Sequence, residues 1–406
     1  MPATPRRPAR FSFRAFKILA VVLALAPAMA RAPGQDKPPI LIGLDGEFTA
    51  LGSTSAQAIE RGIRVAMAEI NDAGGLLGGR KLDLVIKDNR ASPARGVANV
   101  KAFAATPNLV AVFGGRFSPV VVEAVKAAHP AQLITLAAWS SADDIIENGL
   151  APNHVFRIGL HDRIAMPAMI DLARKRGATR VGLLLANTSW GRSNLASAER
   201  HLAARPAMKI VATVWYNWGE PSLREHYDRL LAAGAETVLL VANDREGIVL
   251  INEMAGLPPE KRLPVVSHWG VTGGDFAAKI GAETLAKVDC AVIQTFSFFK
   301  ADPKKTEKIL ARTQALFNIA RIEDIDSPVG FGHAYDLTHI LARAIAKAGS
   351  ADRARVRAAL EQVKDYDGLS RRYARPFAPN RHDAAEPRDV FFAQYRADGV
   401  LVPIPD

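Results

Sequence analysis

Two ring side chains stand together at the end of a short apolar strand in PVVSHWGVTG (264–273): His268 and Trp269. An imidazole can carry a proton or a hydrogen bond near neutral pH. An indole offers a broad apolar face and one N–H donor. Gly270 and Gly273-Gly274 turn the chain immediately afterwards, so the pair is core packing, catalysis or the wall of a ligand pocket. Ser118 in GGRFSPV sits where a strand gives way to a helix. The free N–H groups of a helix start attract an anion there, and the same serine can serve as an N-cap. His333, Asp336 and His339 stand three apart on GFGHAYDLTHILARAIAKAG; a metal held there needs ligands from elsewhere in the chain. GGLLGGRK (74–81) has the glycines of a phosphate loop but lacks the Lys-Ser/Thr ending. It also leads into a strand rather than out of one, so it reads as a turn. No G-x-S-x-G, H-E-x-x-H or G-x-G-x-x-G occurs, and the single Cys290 excludes a disulfide framework and a cysteine zinc site. The expectation is a protein that is not an enzyme and holds no metal or cofactor.

These residues must be positioned by the elements around them, and those alternate. Strands are expected at 40–45, 81–88, 109–115 and 132–138, and helices at 54–75, 92–105 and 118–129. In the first helix Ile59, Ile63, Ala66, Met67 and Ile70 fall at three- and four-residue steps, one face of a helix. Ser92-Pro93 and Ser118-Pro119 are start signals, a cap followed by proline at the first turn. The pattern restarts after about residue 158, with helices at 163–177 and 190–204 and strands at 180–186, 209–216, 237–242 and 288–295. Continuous apolar strands between helices imply parallel sheets covered on both faces. Two such α/β lobes in series imply a cleft at the carboxyl ends of their strands.

The 406 residues are 49% hydrophobic and 23% charged, with a formal net charge of +11. The first thirty residues read MPATPRRPARFSFRAFKILAVVLALAPAMA: a basic start, an apolar run from Ile18 to Ala30, and a small-x-small ending at Ala28-Met29-Ala30. That is the form of a secretory signal cut after Ala30, with an uncleaved anchor as the other reading. Arg6-Arg7 leaves both general and twin-arginine export open. Removing the five basic residues of the leader lowers +11 to +6. The remaining basic residues are scattered and not interleaved with aromatics, so a nucleic-acid partner is not expected. An exported, one-cysteine chain suits the bacterial periplasm.

Taken in order, ILIGLDGEFTALG, RGIRVAMAEINDAGGLLGGRKLDLVIKDNRASPARGVANV, VAVFGGRFSPV, GFGHAYDLTHILARAIAKAGS and VRAALEQVKDYDGLS carry a resemblance. From about residue 38 onward the chain resembles the leucine/isoleucine/valine-binding protein family, the solute receptors of branched-chain amino acid ABC importers. The resemblance implies a type I periplasmic binding fold: two doubly wound parallel-sheet lobes joined by a three-segment hinge. It places the crossings near Arg157–Leu160, Gln294–Ser297 and Tyr366–Leu369. Lobe one is then 37–158 with 296–367, and lobe two 159–295 with 368–406. It implies a monomer that binds a small molecule and delivers it to a membrane permease.

The same resemblance assigns residues to the cleft. Ser118 takes the family's carboxylate-binding position, and Ala137, Ala138, Trp139 and Ser140 form the small-residue loop, with Trp139 where threonine is usual. Trp190 replaces a tyrosine before a glycine, and Asn243 or Asp244 replaces a second tyrosine. The family's glutamate, which holds the ligand ammonium, aligns with Trp269 or His268. A buried ammonium without a counter-charge is costly. So unless Asp244 or Asp162 substitutes, the cleft should favour a carboxylate with an aromatic or other non-amino-acid body, lined by Trp139, Trp190 and Trp269. The alternatives are a receptor for a branched-chain amino acid or amide, and a ligand-sensing subunit that feeds a membrane kinase or chemoreceptor.

Overall fold

The structure is a computed structural model and describes residues 1–4, 37–50, 52–205 and 207–405. The expected leader and its cut after Ala30 lie outside the described residues. Among the described residues no helix is long and apolar enough to cross a membrane.

The first sheet is parallel throughout. It contains β1 (Ile40–Gly46), β2 (Leu82–Asp88), β3 (Leu109–Gly114), β4 (Ile134–Ala137) and β5 (Val155–Arg157), in the order β2-β1-β3-β4-β5. Between them run α1 (Ser55–Asp72), α2 (Pro93–Ala104) and α3 (Ser118–Ala128). The inner strands β1, β3 and β4 are apolar on both faces because both are covered, while the edge strand β2 carries Asp83, Lys87 and Asp88. Ile40, Ile42 and Leu44 of β1 join one core with Ile59 and Ile63 of α1, while Leu109 and Val112 of β3 join another with Phe103 of α2. The turn at 74–81 holds itself by paired backbone bonds between Leu76 and Arg80, both 2.8 Å, and feeds β2 as expected.

The second sheet is built from α4 (Asp162–Lys175), β6 (Arg180–Ala186), α5 (Ser189–Leu202), β7 (Lys209–Tyr216), α6 (Arg224–Ala232), β8 (Thr237–Val241), α7 (Asp244–Ala255), β9 (Val265–Ser267), α8 (Phe276–Ile280), α9 (Ala282–Leu285) and β10 (Cys290–Gln294). Leu183 and Leu185 of β6 meet Met166, Met169 and Ile170 of α4 on one face, and Leu184 meets Leu230, Leu250 and Ile251 on the other. The chain then returns to the first lobe with α10 (Pro303–Phe317), α11 (Pro328–Ala348), which lies along α1, and α12 (Arg353–Leu360). A short antiparallel pair follows, β11 (Tyr366–Asp367) and β12 (Arg372–Tyr373). Finally β13 (Phe391–Tyr395) and β14 (Leu401–Pro403) add antiparallel strands beside β10, giving the order β14-β13-β10-β9-β8-β6-β7.

The third passage differs from the expected one. After Leu369 the chain stays with the first sheet: residues 382–384 run beside β5, with Arg157 donating its N–H to His382 (2.9 Å) and accepting from Ala384 N–H (2.9 Å). The cause is side-chain chemistry. The buried Arg157 guanidinium makes a forked pair with Asp383 at 2.6 and 3.1 Å, and the His382 ring stacks on Phe156 at 4.1 Å. The return to the second sheet therefore follows Ala384. The three side chains weighed as metal ligands serve different places. Asp336 accepts from the hydroxyls of Tyr366 and Tyr373 and from the N–H groups of Leu369 and Ser370. His339 bonds Glu69 at 3.0 Å, and His333 turns toward the passage between the lobes.

Candidate functional site

The loops that leave the carboxyl ends of β3, β4, β5, β6, β8 and β9 converge, which is where a doubly wound sheet offers backbone groups and helix starts to a ligand. Trp139 follows β4, Trp190 opens α5, and His268 and Trp269 follow β9. The rings meet across the lobes. Trp139 and Trp269 lie 6.0 Å apart between centroids, Trp269 and His333 5.9 Å, and His268 stands edge-on to Trp190 at 5.0 Å. Gly330 of α11 makes room: a Cβ there would come 2.6 Å from the Trp139 ring. All three predicted tryptophans therefore belong to one buried aromatic group.

His268 has a defined tautomer. The Trp269 backbone N–H donates to its Nδ1 at 2.9 Å, so Nε2 carries the proton and donates to Asp162 Oδ1 at 3.1 Å. Asp162 is fully buried at the first position of α4, where the helix start favours a negative charge. Among the described residues Asp162 Oδ2, Trp139 Nε1, Trp190 Nε1 and Ser140 Oγ are buried without a hydrogen-bond partner. Two indole donors, a carboxylate oxygen and a hydroxyl are thus among the groups left unpartnered near the aromatic group.

Ser118 is the first residue of α3 rather than its cap, which is Phe117. Its Oγ accepts the N–H groups of Ser141 and Ala142, both at 3.2 Å, so its own O–H is free to donate. Arg157 Nη1 holds the same loop from beneath through the carbonyls of Ser140 (3.2 Å) and Ala142 (2.9 Å). Ala138 accepts from His333 Nδ1 at 3.1 Å, and burial pushes that imidazole down to about 3, with the Arg371 charge acting in the same direction. Ala137 is the last residue of β4, paired with Arg157 of β5. Of this segment, the N–H groups of Ser141 and Ala142 are the ones that reach Ser118.

Asn243 stays beside the aromatic group, since a Cβ on Gly270 would lie 2.7 Å from the Trp190 ring and 3.1 Å from Asn243 Oδ1, whereas Asp244 turns to a charge partner. Asn243 caps α7 in extended conformation, and Asp244 opens the helix. Asp244 Oδ1 is bound by Arg116 Nη1 at 2.7 Å, so its charge already has a partner. Arg116, Arg157 and Asp162 carry much of the site's charge; the sequence marks Asp162 as a possible ammonium partner and Arg157 as a crossing, but does not single out Arg116. The available signal was position: Arg116 directly follows the β3 end, and Asp162 opens the helix after the first passage.

A family model described as "Periplasmic binding protein" matches residues 39–399. The chain belongs to that family. A curated relative from Pseudomonas aeruginosa, named "Amino acid binding protein", is 26% identical over 266 residues, covering 65% of this chain and 68% of its own. A type 1 periplasmic binding protein from Bordetella pertussis Tohama I superposes with a TM-score of 0.80 at 22% identity, covering 91% of this chain and 100% of that one. A solute-binding protein from R. palustris, solved with 4-hydroxybenzoate, superposes with a TM-score of 0.76 at 16% identity, covering 91% and 96%. The fold is that of the type I periplasmic binding proteins.

Proposed function

We propose that this chain is the periplasmic solute receptor of an ABC importer and that its solute is a small aromatic carboxylate. One observation supports the ligand class: Trp269 and His268, which the resemblance aligns with the family's ammonium-binding glutamate, join Trp139 and Trp190 in a single buried aromatic group. Such walls stabilise a flat apolar body by area and ring stacking. Ser118, with its O–H free to donate at a helix start, supplies an anion anchor. The 4-hydroxybenzoate of the R. palustris protein is in keeping with this chemistry. Titration calorimetry with 4-hydroxybenzoate, benzoate, phenylalanine and leucine tests the reading. The aromatic acids should bind at least about tenfold tighter than the amino acids, roughly 1.4 kcal/mol. Trp269→Ala should lose more affinity than His268→Ala.

A second reading has its own observation. Among the described residues Asp162 Oδ2 is a buried carboxylate oxygen without a partner, and the P. aeruginosa relative is named for amino acids. Tight leucine binding that survives Trp269→Ala and is abolished by Asp162→Asn would replace the aromatic-acid reading with this one.

A further inference from the structure

Away from the aromatic group, the mouth of the cleft is closed by charge. Arg116 lies on the loop after β3 of the first lobe, and Asp244 opens α7 of the second. Their pair measures 2.7 Å, and the two side chains are only 4% and 6% exposed. The same Nη1 also donates to the Gly270 carbonyl of the second lobe at 2.9 Å. Neighbouring bonds cross the same seam: Thr54 N–H to the Gly273 carbonyl at 2.9 Å, and the Ser327 hydroxyl to the Thr272 carbonyl at 2.9 Å. The Phe117 ring meets Trp218 edge-on at 5.2 Å, and the Arg116 guanidinium lies over Phe117. Glu47, fully buried, accepts the Arg116 backbone N–H and the Ser55 hydroxyl. Around this arginine stand two carboxylates, Asp244 across the seam and Glu47 on its own side.

Two glycines are shaped to this pair. Both keep ordinary backbone angles, so conformation does not demand them. Contact does: a Cβ on Gly273 would sit 1.9 Å from Arg116 Nη1, and one on Gly274 would sit 2.3 Å from Asp244 Oδ2. The chain leaves space on the second lobe for an arginine that arrives from the first.

We infer that Arg116 and Asp244 form a latch between the lobes that sets the affinity for the solute without touching it. A pair made only when the lobes meet adds its free energy to the closed state alone, and so shifts the open-to-closed balance. Solute that binds the closed form then dissociates more slowly. Removing either partner leaves the other buried and unpaired in the closed form, which favours opening. The latch rests on the lobe motion of a solute receptor and not on which solute is bound.

The test is therefore made on the full chain without solute, by small-angle scattering of wild type, Arg116→Ala, Asp244→Ala, the double variant and Gly273→Ala. The latch requires a larger radius of gyration for each single variant, consistent with a roughly tenfold shift toward open, or about 1.4 kcal/mol. The double variant should open no further than the singles. Gly273→Ala, which keeps both charges, should open likewise. Melting curves establish that each variant is folded. Identical profiles for all five proteins would overturn the latch whatever the calorimetry says of the solute. So would calorimetry with 4-hydroxybenzoate in which Asp244→Ala tightens binding, since that is the behaviour of an arginine released to hold the solute's carboxylate directly.

Discussion

Ser118 illustrates how much a single position can say and where it stops. A serine between a strand end and a proline-led helix is legible as an anion site or a cap. In the structure its oxygen accepts from Ser141 and Ala142 and makes no cap bond to its own helix, which leaves the proton for a ligand as a proposal. Ser118→Ala should therefore weaken an aromatic acid by about 1–2 kcal/mol, the scale of a charge-assisted hydrogen bond. The corresponding amide should bind wild type poorly and lose little more in the variant. Equal losses for acid and amide in calorimetry would make Ser118 a brace for the loop and nothing else. The tryptophans, which the structure gathers into one buried group, were likewise picked out by following strands. The partners of Asp244 and Asp162 were not: Arg116 is 128 residues from Asp244, and His268 is 106 from Asp162. No local pattern encodes pairs at that separation.

Among the elements, long periodic helices and buried strands were readable because burial on one or two faces imposes a period. α11 is an example, yet its function in the fold lies in particular contacts. Its His333 donates from Nδ1 to the Ala138 carbonyl and accepts the Thr295 hydroxyl at Nε2, so the neutral ring ties α11 to the β4 loop and to the second passage. Burial, aided by the Arg371 charge, lowers this group from 6.5 to about 3. Between those values the unfolded chain binds a proton that the folded chain refuses. The stability is complete above about pH 6.5 and is lost as pH falls toward 3, with a slope of up to about 1.4 kcal/mol per pH unit from this group. Urea melts of wild type and His333→Gln between pH 7 and 4 should diverge by that slope. Parallel curves would mean that the ring is protonated inside the fold. β5 escaped the sequence because its three residues are too few to show a period, and its neighbours at 382–384 are held by Arg157 and Asp383 rather than by apolar alternation.

At the scale of the whole molecule, two sheets joined by three passages form a body that can bend only if all three bend together. The third passage was misplaced in the sequence because residues 374–385 carry arginines, prolines and polar residues without period, while Asp383 and His382 bind them to the first lobe. The part of the chain that joins the second sheet consequently begins later, after Ala384. Solute and latch then act on one equilibrium, and each contributes only its preference for the closed form. If so, the latch can be removed and replaced by solute. Arg116→Ala should scatter as an open molecule alone, and saturating 4-hydroxybenzoate should return it to a compact profile. The affinity measured for that variant should be lower than for wild type by the factor by which its closed population has fallen, because closing must now be driven by the solute alone. A variant that binds 4-hydroxybenzoate in calorimetry while its scattering stays open would break the link between occupancy and closure, and with it the hinge reading of the three passages.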